Sequence, residues 1–121
     1  METILIVDDD ISLCSVLKEE LAEVGYEAEY VNSGDAAFNY LLQNKVDLLL
    51  LDLKMPEKDG FDVLKTLSER HLNTKIIVLT AYADVKSAID SAKMGASDFI
   101  SKPYDFDELL ITIRKVLQRD S

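Results

Sequence analysis

The sequence predicts an α/β fold, a doubly wound parallel sheet of five strands with five helices on its two faces. Two observations carry that prediction. Short apolar runs alternate five times with stretches whose apolar residues recur at helical spacing, the pattern of strands joined by crossover helices. Three of the runs, Thr3–Val7, Val46–Leu51 and Lys75–Leu79, are nearly continuous in apolar residues, as expected of strands covered on both faces.

Each element has its own local justification. Thr3–Val7 ends abruptly in Asp8, Asp9 and Asp10, and Leu13, Val16, Leu17, Leu21 and Val24 then recur at helical spacing, with Gly25 where a C-terminal cap belongs. Tyr26–Val31 alternates apolar with acidic residues, which suits a strand near a sheet edge. Asn32, Ser33, Gly34 and Asp35 are turn and N-cap chemistry, leading into a short helix with Ala37, Tyr40 and Leu41 inward. Val46–Leu51 reads as a central strand and ends in Asp52. The stretch 54–60 is a loop punctuated by Pro56 and Gly60. Val63, Leu64 and Leu67 mark the third helix, and the strand Lys75–Leu79 ends at Thr80. Val85, Ala88, Ile89 and Ala92 mark the apolar face of the fourth helix, closed by Gly95. Asp98–Ser101 is a brief fifth strand ending at Lys102 and Pro103, and Phe106, Leu109, Leu110, Ile113, Val116 and Leu117 complete the last helix.

At 121 residues the chain has the size of one domain. Its 48% hydrophobic content is too high for a disordered chain. A net charge of −10 argues against gripping nucleic acid or an anionic membrane, since both require a basic surface. The single cysteine, Cys14, excludes an internal disulfide, and with the single histidine, His71, it provides no zinc cage. Neither residue is expected to be functional. No leader and no membrane-length apolar run is evident, so a soluble, cytoplasmic domain is expected.

In open parallel sheets ligands collect at the carboxyl ends of the strands. Here those ends carry Asp8 and Asp9, Asp52, Thr80, and Lys102. A lone aspartate after a strand is commonly a helix cap, and Asp10 fits that description. Three converging carboxylates are different, because they repel one another unless a cation neutralises them. An all-oxygen set favours a hard cation such as Mg²⁺ over zinc. Lys102 adds an ammonium, and Thr80 a hydroxyl able to donate to a phosphoryl oxygen. The four glycines are dispersed, so neither a dinucleotide fingerprint nor a P-loop is present.

These residues closely resemble the receiver domain of two-component response regulators. The matching segments are Ile4–Asp10, Asp52–Pro56 with Asp59 and Gly60, Thr80–Ala81, and Lys102–Pro103, in order along essentially the whole chain. The resemblance implies a flavodoxin-like strand order of 2-1-3-4-5. It implies Asp52 as phosphoacceptor, taking a phosphoryl group from a sensor histidine kinase or phosphotransfer protein. It implies Mg²⁺ held by Asp8, Asp9, Asp52 and the main-chain carbonyl of Lys54, with Lys102 on the phosphoryl group and a cis bond before Pro103. Thr80 and Phe99 would form the switch. Phe99 lacks a tyrosine hydroxyl, so burial alone would drive it; a plain core role competes evenly. Lys54 and Tyr82 would flank the entrance, and Met55 and Pro56 would shape the loop and meet the kinase.

The output face implied is the fourth helix, fifth strand and fifth helix, with Lys86, Asp90, Lys93, Asp105, Glu108 and Arg114, suited to homodimer pairing on phosphorylation. Residues 83–88 are reminiscent of NtrC-type regulators, and the expected role is transcription regulation without enzymatic turnover. The charged segment 114–121 suits either a natural terminus or a cut before an output domain. The alternatives are a Mg²⁺-dependent phosphohydrolase of haloacid-dehalogenase type and an unphosphorylated adaptor. The first wants an aspartate two residues after Asp52, where Lys54 stands; the second does not need the full acidic set.

Overall fold

Strands and helices alternate along the described residues in the order β1 (Thr3–Val7), α1 (Ile11–Glu23), β2 (Glu27–Val31), α2 (Gly34–Gln43), β3 (Leu48–Leu51), α3 (Gly60–Glu69), β4 (Lys75–Thr80), α4 (Val85–Lys93), β5 (Asp98–Ser101) and α5 (Phe106–Gln118). This computed structural model describes residues 1–54, 60–70, 74–81 and 84–118, apart from the Ser68 side chain. Met55, Pro56 and Asp59 of the quoted motifs lie outside the described residues, as do His71, Tyr82, Ala83 and 119–121.

The sheet order is β2-β1-β3-β4-β5, and every neighbouring pair is parallel. Strand periodicity then divides the core. On β1, Ile4 and Ile6 join Cys14, Leu17 and Leu21 of α1 and Leu109, Ile113 and Val116 of α5. Leu5 and Val7 point the other way, to Ala37 of α2 and to Val63, Leu64 and Leu67 of α3. A continuous apolar strand is therefore required, because each alternate residue has its own helical layer to fill.

Helix ends follow the expected chemistry. Asp10 caps α1 by accepting the Leu13 N–H at 3.1 Å, and Ser33 caps α2 by accepting the Ala36 N–H at 3.1 Å. Gly25 and Gly95 follow the C-caps with φ of +98° and +102°, a conformation that a side chain would strain.

Two helical faces differ from the expectation. On α1, Val16 is 57% exposed, while Cys14 is fully buried. On α4, Val85 and Ile89 are 76% and 49% exposed, while Ser87 and Ser91 are buried. Periodicity locates a stripe but not the arc that meets the sheet. A buried serine is tolerated on α4 because the Ser91 hydroxyl donates to the Ala88 carbonyl of its own helix, at 3.0 Å. Among the described residues no helix is long and apolar enough to cross a membrane.

Candidate functional site

The strand order reverses between β1 and β3, and the residues after those two strands are the aspartates. Their main chains continue the sheet ladder: the Asp8 N–H donates to the Val31 carbonyl at 3.2 Å and the Asp52 N–H to the Val7 carbonyl at 3.0 Å. Lys102 is tied in the same way, its N–H donating to the Thr80 carbonyl at 2.9 Å, and the Lys102–Pro103 bond is cis. Rigid strands thus carry the side chains to one edge.

Asp8, Asp9 and Asp52 each place a carboxylate oxygen within 4.8 Å of the other two. Asp8 and Asp52 are buried and Asp9 is exposed. Lys102 Nζ lies 2.5 Å from Asp8 Oδ2 and 3.3 Å from Asp52 Oδ2. Asp52 Oδ1 accepts the Thr80 hydroxyl at 2.6 Å and the Lys54 N–H at 3.1 Å. The Asp8 carboxylate also accepts the Asp10 N–H at 3.0 Å. Asp8, Asp9, Asp52 and Lys102, together with Asp10, Lys54 and Ala81, line a cleft of about 640 Å³.

Burial pushes the Asp8 carboxyl above its ordinary value, against the opposing contacts of Lys102 and the Asp10 N–H. Burial would lower Lys102, but its contacts with Asp8 and Asp52 outweigh this and raise it, so the ammonium keeps its proton at neutral pH. The three carboxylates supply only oxygen donors, and the set suits a hard cation.

Several neighbours support this edge. The Gly60 N–H donates to the Leu53 carbonyl at 2.9 Å. A Cβ on Gly60 would stand 2.2 Å from the Asp52 carbonyl oxygen, so the chain needs glycine to return so closely beneath Asp52. From the sequence Asn32 reads as turn chemistry and Cys14 as a residue without function, yet both meet the Asp8 main chain. Asn32 Nδ2 donates to the Asp8 carbonyl at 2.8 Å, and the Cys14 thiol reaches the same oxygen at 3.5 Å. Only the strand order brings the end of β2 beside the end of β1.

Phe99 is half-buried on β5. Register pairs Val78 with Phe99 and Thr80 with Ser101, so Thr80 and Phe99 share one face of the sheet. Phe99 also borders two clefts beneath α4, of about 220 and 270 Å³. Lys86, Lys93, Asp105, Glu108 and Arg114 are exposed and Asp90 is half-buried.

A parallel α/β domain with three carboxylates, a hydroxyl and a lysine on one sheet edge defines a class that can hold a cation and an anion side by side. The chain belongs to the response regulator receiver domain family, whose model matches residues 4–114. It is 36% identical to Regulatory protein AtoC of Escherichia coli, over 98% of this chain and 26% of that protein. It is 41% identical to Transcriptional regulatory protein CpxR of the same organism, over 98% of this chain and 50% of that protein. These relatives represent the NtrC and OmpR types. The chain therefore spans a quarter to a half of these curated relatives. Among solved structures, the Thermotoga maritima response regulator TrrA in complex with Mg²⁺ and BeF is similar, with 35% identity and a TM-score of 0.86 over 96% of this chain and 99% of that one. The family match gives no support to the phosphohydrolase alternative.

Proposed function

We propose that this domain accepts a phosphoryl group on Asp52 from a phosphohistidine of a sensor kinase or phosphotransfer protein, in a Mg²⁺-dependent step. The observation that carries the reading is the setting of Asp52. The residue is 6% exposed, yet it faces a cleft shared with Asp8, Asp9 and Lys102. Thr80, Lys54 and Lys102 hold it in one orientation from three sides. An Asp52 oxygen attacks phosphorus, the nitrogen–phosphorus bond breaks, and the departing imidazole keeps or takes one proton. The product is an aspartyl phosphate.

Asp8, Asp9, Asp52 and the Lys54 carbonyl are proposed to hold Mg²⁺, which supplies charge neutralisation at the phosphoryl oxygens when bound. Lys102 would exchange its contact with Asp52 for a phosphoryl oxygen, and Thr80 would donate its hydroxyl to another. Phe99 shares the Thr80 face, and its movement toward the sheet would bias α4 and β5. The α4–β5–α5 surface then carries the signal, to a second copy of the chain or to an output domain that regulates transcription. AtoC and CpxR are named as regulators, and both are longer than this chain. The domain itself is a phosphoacceptor that promotes its own phosphorylation and dephosphorylation. A net charge of −10 supports a domain that leaves nucleic acid to its partner.

Acetyl phosphate with MgCl₂ tests this reading, followed by intact mass. Wild type is expected to gain one phosphoryl group in a hydroxylamine-labile bond, and Asp52→Asn to gain none. An unmodified wild type, or the same adduct on Asp52→Asn, overturns it.

A further inference from the structure

We infer that Asn32 is a positioning residue for the cation site, acting through the peptide unit that joins Asp8 to Asp9; this rests on the Mg²⁺ reading above. A peptide unit is planar, so the Asp8 carbonyl and the Asp9 nitrogen turn together. Asn32 Nδ2 donates to that carbonyl at 2.8 Å from the far end of β2. The Cys14 thiol approaches it at 3.5 Å, and Asn32 Nδ2 lies 3.8 Å from Cys14 Sγ. One oxygen thus gathers both side chains, and it belongs to the plane linking two of the three carboxylates.

The two aspartates depend on this clamp unequally. The Asp8 carboxylate is held by Lys102 and by the Asp10 N–H. Asp9 is exposed, and among the described residues no hydrogen bond holds its carboxylate. Its place near Asp8 and Asp52 is therefore set by its main chain. The Asp8 N–H is already fixed by the Val31 carbonyl on β2. Asn32, the next residue after Val31, fixes the other side of Asp8. Hydrogen bonds behind metal-binding groups commonly tune affinity by roughly 10–100-fold. Asn32 touches no group of the proposed phosphoryl transfer, so its effect is confined to cation affinity.

The test titrates MgCl₂ into wild type, Asn32→Ala and the near-isosteric Asn32→Leu, following amide shifts by NMR. The rate of phosphorylation by acetyl phosphate is measured over the same Mg²⁺ range. Each variant is expected to bind Mg²⁺ about tenfold more weakly. Its rate at saturating Mg²⁺ should return to within about twofold of wild type, since chemistry proceeds once the site is filled. Equal Mg²⁺ affinity in a folded variant overturns the positioning role and leaves Asp52 as acceptor. A lower saturating rate with unchanged affinity also overturns it, and so does loss of the fold by both variants, which assigns Asn32 to the core. Absence of any Mg²⁺ response in wild type overturns the underlying reading instead.

Discussion

Lys102 Nζ stands 2.5 Å from Asp8 Oδ2 although the two residues are 94 positions apart, and it reaches Asp52 Oδ2 at 3.3 Å from the same place. The two residues follow the ends of β1 and β5, which are not neighbours in the sheet. One ammonium therefore serves two buried carboxylates.

Replacing Lys102 with methionine keeps the stem and removes the charge. Asp8 and Asp52 are then left 2% and 6% exposed without a counter-charge. Breaking a buried ion pair by removing one partner costs about 3–5 kcal/mol. Lys102→Met is expected to lose stability of that order at neutral pH, checked by urea denaturation, and to recover part of it in MgCl₂. An unchanged midpoint in metal-free buffer would show that the carboxylates need no lysine.

Mg²⁺ should stabilise the wild-type fold. A ligand that binds only the native state adds about 2.7 kcal/mol at a hundred times its dissociation constant. Wild type is expected to gain several degrees in Tm on Mg²⁺ addition. Asp9→Ala should keep the metal-free fold, because Asp9 is exposed, and lose most of the Mg²⁺ increment. The same increment in both proteins would remove Asp9 from the site.

Cys14 gives a pH-dependent test. Burial pushes its thiol up to about 12 from 9.0, with nearby Asp8 and Asp10 adding in the same direction. The folded state then retains a proton that the unfolded chain releases above 9.0. The unfolded state binds fewer protons in that window, so this contribution to stability is present below it and lost as pH rises toward about 12. At pH 8 the native thiol should resist a disulfide reagent, and unfolding in guanidinium should expose one equivalent. Rapid native labelling would contradict the burial.

The residues that meet at the site stand at strand ends, and so their convergence is legible in the sequence. Asp8, Asp9, Asp52, Thr80 and Lys102 each follow an apolar run, and a parallel sheet carries all such ends to one edge. Asn32 was hidden because its importance is lateral. It looks like turn chemistry until β2 is known to lie beside β1, where its amide meets the Asp8 carbonyl. The α4 face misled for a related reason. Val85, Ala88, Ile89 and Ala92 have helical spacing, yet α4 turns Ser87 and Ser91 inward.

The sequence by itself determined the alternation of elements, the two-sided strands, the caps at Asp10 and Ser33, and the set of acidic and basic groups at the strand ends. These follow from local periodicity, steric preference and hydrogen-bonding capacity, which act over a few residues. Tertiary structure alone decided which arc of α1 and α4 meets the sheet, how closely Gly60 passes under Asp52, and that the Asn32 amide, just after β2, clamps the Asp8–Asp9 peptide. Those outcomes depend on packing between segments far apart in the chain, where an interaction exists only after the strands have taken their order.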